Sequence, residues 1–136
     1  MANILLIDDG AVLLNLISNT LRLDGHTVSA LCDPLAAFEF FGAGKLPIDL
    51  ILTDIDLAPI SGVELVKRLR KMGFKSPVLF MSGYRGLAEA VAESFGQRAV
   101  LEKPFTAPQL RSAVGKALQR SKPKSPCAVE MPVSSQ

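Results

Sequence analysis

Five short apolar runs punctuate the chain, and segments with helical spacing separate them. Ile4 to Ile7 is unbroken and stops at Asp8 and Asp9. It is too short for a helix and does not alternate, which is how a strand buried on both faces reads. Leu13, Leu16, Ile17 and Leu21 then share one helical face, and Gly25 supplies a stop. His26 to Leu31 reads as a second strand. Asp33 and Pro34 make a helix opening, with Asp as cap and Pro at the first helical position. Leu35, Phe38 and Phe41 line one side of that helix, and Gly42 and Gly44 end it. Leu50 to Thr53 is a third strand running into Asp54. Ser61 and Glu64 have the spacing of a capping box, and Leu65, Val66 and Leu69 give the inner face of a third helix, ended by Gly73. Val78 to Met81 is a fourth strand, with Ser82 and Gly83 at its end. Leu87, Ala90, Val91 and Phe95 suggest a fourth helix. Ala99 to Leu101 is a fifth strand, followed by Glu102-Lys103-Pro104-Phe105. Thr106 and Gln109 form a second capping box, and Leu110, Ala113, Val114 and Ala117 carry a fifth helix to about Arg120.

Strand–helix alternation repeated five times implies an α/β fold, a parallel sheet with helices on both faces. Residues 1–120 are read as one domain. From Ser121 the composition changes: residues 121–136 hold three prolines and four serines, with little to bury, and are expected to be a disordered tail. Hydrophobic residues at 49% and charged residues at 21% suit a soluble globular domain. A net charge of +2 gives no argument for nucleic acid or an anionic membrane. Lys67, Arg68, Arg70, Lys71 and Lys75 cluster, but cations suit a solvated helix C-terminus. Cys32 and Cys127 give no disulfide framework, which fits a cytoplasmic setting. The N-terminus lacks the basic region of a signal peptide. No run approaches the roughly 18 apolar residues of a membrane span.

In open α/β sheets the ligand crevice lies outside the carboxyl ends of the strands. Here the first strand ends in Asp8 and Asp9, the third in Asp54, the fourth in Ser82 and the fifth in Lys103. All are expected at one edge of the sheet. Three gathered carboxylates repel one another unless a cation compensates. Mg²⁺ is a hard, oxygen-liganded ion often held by few carboxylates. Lys103 adds a positive charge and Ser82 a hydroxyl. This set suits phosphoryl transfer, and a carboxylate can itself be the nucleophile. Alone, Asp8 and Asp9 could cap the first helix, Ser82 could be turn chemistry and Lys103 a surface residue. His26 lies far from the set and receives no role.

The acidic pair after an apolar strand, Asp54 with Gly62 eight residues on, Ser82 after VLFM, and Lys103-Pro104-Phe105 together resemble the receiver domains of two-component response regulators. The resemblance spans about Asn3 to Arg120. It implies a doubly wound, flavodoxin-like (βα)5 fold with strand order 2-1-3-4-5. It implies that Asp54 accepts a phosphoryl group from a histidine kinase or a histidine phosphotransfer protein. Asp9 would ligate Mg²⁺ directly, Asp8 mainly through water, and Asp56 through its backbone carbonyl. Ser82 and Lys103 would contact the phosphoryl group, and the bond before Pro104 would be cis. The same resemblance implies a signalling switch rather than a metabolic enzyme, acting as a monomer or weak dimer on a downstream target protein.

Two departures from the family pattern stand out. Val100 occupies a position where many receivers carry an aromatic ring. Leu57-Ala58 replaces the frequent Met-Pro, with Pro59 one place late. Asp56 and Tyr84 occupy positions that tune phosphoryl lifetime in the family: Tyr84 is expected to shield the acyl phosphate, and Asp56 to disfavour anionic donors. With nothing foldable after Arg120, the output is expected through a partner protein rather than an attached DNA-binding domain. Two alternatives are a non-phosphorylated pseudo-receiver serving as a binding module and the receiver part of a hybrid histidine kinase, although the starting Met favours a stand-alone chain. A small Mg²⁺-dependent phosphohydrolase fits less well, because no glycine-rich phosphate loop follows the first strand.

Overall fold

The computed structural model describes residues 2–44, 46–83, 85–96 and 99–119, with the side chains of residues 85–88 excepted. The tail expected at 121–136, Cys127, Arg120 and Tyr84 lie outside the described residues, as does the side chain of Leu87. Ten elements alternate: β1 (Asn3–Ile7), α1 (Ala11–Leu23), β2 (Thr27–Leu31), α2 (Ala36–Ala43), β3 (Leu50–Asp54), α3 (Gly62–Lys71), β4 (Val78–Ser82), α4 (Arg85–Phe95), β5 (Val100–Glu102) and α5 (Ala107–Gln119). The five strands form one parallel sheet in the order β2-β1-β3-β4-β5. This is the parallel α/β architecture read from the alternation, in the doubly wound strand order that the family resemblance implies.

Successive strand residues point to opposite faces, and each face builds its own core. Leu5, Ile7, Ile51, Val78 and Phe80 pack with Ala37 of α2, Leu65, Val66 and Leu69 of α3 and Val91 of α4. Ile4, Leu6, Leu50, Leu52, Leu79 and Met81 pack with Ile17 and Leu21 of α1 and Leu110, Val114 and Ala117 of α5. Every residue of β3 and of β4 is buried, so these central strands carry no polar face. Each fully buried Leu or Ile contributes about 1.5–3 kcal/mol from area removed from water.

The helix ends divide the two capping boxes. Thr106 and Gln109 exchange both bonds: the Gln109 amide donates to Thr106 Oγ1 at 3.2 Å, and the Thr106 amide to Gln109 Oε1 at 2.8 Å. At α3 only half the box forms. The Glu64 amide donates to Ser61 Oγ at 3.1 Å, while the Glu64 carboxylate turns to Arg68 at 3.0 Å, one helical turn on. Of the other cations clustered there, Arg70 donates to the carbonyls of Phe74 and Ser76, fastening the α3–β4 connection.

Three expectations change. Asp33 does not cap α2 with Pro34 at its first position. The Leu35 amide donates to Asp33 Oδ1 in a side-chain turn, and the helix begins at Ala36. Leu35 is consequently exposed, and Ala37 takes the buried place. On α1, Leu16 is 61% exposed and points away from Ile17 and Leu21. The fifth strand runs one residue later than read, ending at Glu102.

His26 ties down the start of the sheet. The Ala2 amide donates to His26 Nδ1 at 3.2 Å, and the Thr27 amide donates back to the Ala2 carbonyl at 2.9 Å. Burial lowers the His26 pKa below its ordinary 6.5; the amino terminus adds to this and Asp24 opposes it. A depressed folded-state pKa gives stability that is present above the unfolded value and lost as pH falls through the folded one. The urea midpoint should therefore drop between pH 7.5 and 5.5. Comparing wild type with His26→Gln across that range checks this, and an equal drop in the variant would rule it out.

Candidate functional site

Asp8 follows the last residue of β1, and its amide donates to the Leu31 carbonyl of β2 at 3.2 Å. Its Oδ1 accepts from the Gly10 amide at 2.8 Å. Asp8 and Asp9 do not cap α1: the N-cap is Gly10, and no side chain bonds there. Asp8 is 2% exposed, whereas Asp9 faces solvent. Asp54 closes β3 and is 6% exposed. One carboxylate oxygen from each of Asp8, Asp9 and Asp54 lies within 4.8 Å of the others. A hard, oxygen-seeking divalent cation fits that donor set.

Lys103 joins the two buried members. Its Nζ stands 3.0 Å from Asp54 Oδ2 and 3.3 Å from Asp8 Oδ2. The β4–β5 pair delivers it: Ser82 lies beside Glu102, and the Lys103 amide donates to the Ser82 carbonyl at 2.7 Å. The Lys103–Pro104 and Ala58–Pro59 bonds are both cis; only the first was expected. Ser82 is buried at 2% exposure, one residue past Met81, which pairs with Asp54. The five residues read from the sequence thus converge on one sheet edge.

Asp56 plays a different part from the three clustered acids. Its side chain is exposed and outside that cluster. Its amide donates to Asp54 Oδ1 at 3.1 Å, fixing the carboxylate from the loop side. Val100 is half-buried on β5 and lines a groove of about 780 Å³ with Glu102, Lys103, Pro104, Gln109 and Lys116. The groove therefore reaches the site lysine.

Burial is the largest influence on Asp54 and raises its pKa above the ordinary 3.8; Lys103 and the Asp56 amide pull it back, and the charge of Asp8 pushes it further up. Burial alone would lower Lys103, but the carboxylates of Asp54 and Asp8 outweigh it and hold the ammonium above its ordinary 10.5. Lys103 thus offsets the burial of Asp54 only in part.

Two contributors were missed from the sequence. Gly10 supplies an amide to Asp8 where a side chain would crowd it: an added Cβ would sit 3.3 Å from Asp8 Oδ1. Thr53, the one polar residue in LILT, turns its hydroxyl to the Asp54 carbonyl at 3.0 Å. A lone hydroxyl in a buried strand is the signal that could have found it.

A parallel α/β sheet whose edge gathers three carboxylates and a lysine defines an acid-centred α/β domain with a donor set that could hold a cation. The family model described as the response regulator receiver domain matches residues 4–115. The chain belongs to that family, the receiver domains of two-component signalling. The response regulator PmrA of Pseudomonas aeruginosa is 35% identical over 118 residues, covering 86% of this chain and 52% of that protein. The transcriptional regulatory protein TrcR of Mycobacterium tuberculosis is 29% identical over 122 residues, covering 87% and 46%. The chain spans about half the length of these curated relatives. A receiver domain structure from Clostridium thermocellum superposes with a TM-score of 0.77 at 29% identity, over 88% of this chain and 96% of that one. A receiver protein from Sinorhizobium medicae gives 0.75 at 33%, over 89% and 97%. Among the described residues, no helix is long and apolar enough to cross a membrane.

A raised pKa makes ionised Asp54 a net cost to folding. Stability is fullest below the unfolded pKa and is lost as pH rises through the folded one. Asp54→Asn should therefore raise the urea midpoint at pH 7 without added metal. A lowered midpoint would mean that pairing with Lys103 outweighs burial.

Proposed function

We propose that the domain is a phosphorylation-controlled switch in which Asp54 is the phosphoacceptor and Mg²⁺ the resident cation. The observation that carries this is the meeting of Asp8, Asp9 and Asp54 with Lys103 at one sheet edge. Asp8, Asp9, Asp54 and the Asp56 backbone carbonyl would hold the ion. When bound, it offsets the charge that crowded carboxylates and a phosphoryl group bring together.

The chain's own residues do the rest. The Asp56 amide and Lys103 Nζ orient the Asp54 carboxylate on its two oxygens. An Asp54 oxygen attacks the phosphorus of a phosphohistidine on a histidine kinase or phosphotransfer protein. The P–O bond forms as the P–N bond breaks, and the leaving imidazole keeps the electron pair and takes up a proton. Lys103 then pairs with the phosphoryl oxygens in place of the carboxylate, and Ser82 supplies its hydroxyl. With Val100 where many receivers carry a ring, the change reaches the β5–α5 groove through Ser82 and Lys103, and the output is altered affinity for a target protein.

The donor has a surface to meet. Val12, Leu16 and Leu23 of α1 are 84%, 61% and 83% exposed and share one helical stripe that starts just beyond Asp9. Only Arg22 carries charge on this helix. Such a stripe suits transient cover by a helical donor.

Incubation with Mg²⁺ and a small phosphodonor, followed by mass spectrometry, should show one phosphoryl adduct that Asp54→Asn abolishes. Chelation should prevent it. A wild type that never takes up phosphoryl groups would leave the binding-module reading instead. Leu16→Glu should slow transfer from a kinase at least tenfold, the effect of about 1.4 kcal/mol at a docking contact, and leave the small donor's rate unchanged. Equal slowing with both donors would place Leu16 outside the docking surface.

A further inference from the structure

The Asp54 carboxylate is held by Lys103 and the Asp56 amide, but its backbone is held separately. Thr53 Oγ1 donates to the Asp54 carbonyl at 3.0 Å from a fully buried position. Gly62, the first residue of α3, also lies against this carbonyl. A Cβ added to Gly62 would overlap the Asp54 carbonyl oxygen and approach Ile55 Cα at 3.2 Å. Overlap with backbone rather than with a flexible side chain leaves nothing cheap to shift. The φ of Gly62 is not in the left-handed range, so glycine is present for close approach and not for backbone freedom.

The loop between them is closed at its neck. The amides of Gly62 and Leu57 both donate to the Ile55 carbonyl, at 2.9 and 3.1 Å. Ile55 in turn donates its amide to the Met81 carbonyl at 2.9 Å, continuing the β3–β4 ladder. The segment that carries Asp56 thus leaves and returns at one point, and that point abuts the Asp54 peptide.

We infer that Thr53 and Gly62 are positioning residues for phosphoryl transfer: they clamp the Asp54 peptide so that its carboxylate presents one oxygen for attack. The inference rests on Asp54 being the phosphoacceptor. Neither residue touches the reacting atoms; both act through the Asp54 backbone. An in-line attack needs its nucleophile held within a fraction of an ångström, and a peptide free to rock loses that. The clamp also fixes α3 to the acceptor, because the glycine that permits contact is the first residue of the helix.

The test uses Thr53→Val, which keeps the branched shape and removes the hydroxyl, and Thr53→Ser, which restores it. With Mg²⁺ and a small phosphodonor, Thr53→Val should phosphorylate roughly fivefold more slowly, the rate equivalent of one neutral hydrogen bond. Thr53→Ser should recover most of the rate. Gly62→Ala should slow the reaction further if it folds; Thr53→Val carries the test if it does not. A second readout needs no phosphorylation. The Asp56 amide, bonded to Asp54 Oδ1, should exchange with solvent faster in Thr53→Val relative to the Ile55 amide. A lower melting temperature with unchanged rate and unchanged relative exchange would overturn the inference and leave a structural hydroxyl. A wild type that takes no phosphoryl group would refute the phosphoacceptor reading, while the exchange ratio would still support or overturn the clamp.

Discussion

Everything at the sheet edge depends on one shared cation. Lys103 reaches two buried carboxylates at once, and a buried carboxylate is costly unless a cation or hydrogen bonds meet it. The arrangement is deliberately incomplete in physical terms: one positive charge faces two negative charges, with Asp9 close by. Burial and mutual repulsion raise the Asp54 pKa even with the lysine in contact. A site left with surplus negative charge attracts a divalent ion, and a lysine shared between two acids is free to change partners. The same imbalance therefore favours both metal binding and a mobile response to a new anion.

The fold makes this possible by letting strands end where chemistry begins. β3 and β4 are buried throughout and β1 from Ile4 on, and each delivers a polar residue at its last position or just beyond. The parallel register sets the spacing. Asp54 lies beside Met81, Ser82 beside Glu102, and the Ser82 carbonyl receives the Lys103 amide. The clustered residues are thus positioned by ladder hydrogen bonds rather than by loop conformation, which is why short connections suffice.

Much of this was legible in the sequence, for identifiable reasons. Short, almost wholly apolar runs such as LILT read as strands buried on both faces, and polar residues stacked at their ends follow from chain direction. Asp8, Asp9, Asp54, Ser82 and Lys103 were therefore readable, as was strand–helix alternation. What was not readable depends on how helices sit. Helical spacing groups Leu16 with Ile17 and Leu21, but a 100° step puts Leu16 on the solvent side. Asp33 has cap chemistry, yet its side chain found the Leu35 amide in a turn before the helix began. The half-formed box at α3 has a similar cause: Glu64 had a competing partner in Arg68, whereas Gln109 had only Thr106. Contacts through the backbone, such as Gly62 against the Asp54 carbonyl, leave no pattern except a glycine where any residue would fit the helix.

The two cores have no side chain in common. Leu50 and Leu52 face α1 and α5, and Ile51 faces α2, α3 and α4, so the sheet is a partition as well as a scaffold. Substitutions on opposite faces couple weakly when their side chains share no contacts. The face that carries α1 and the face that carries α3 can each accumulate changes with little effect on the packing of the other. The acid at the end of β3 thus stands on a wall between two packing layers that are free to diversify separately.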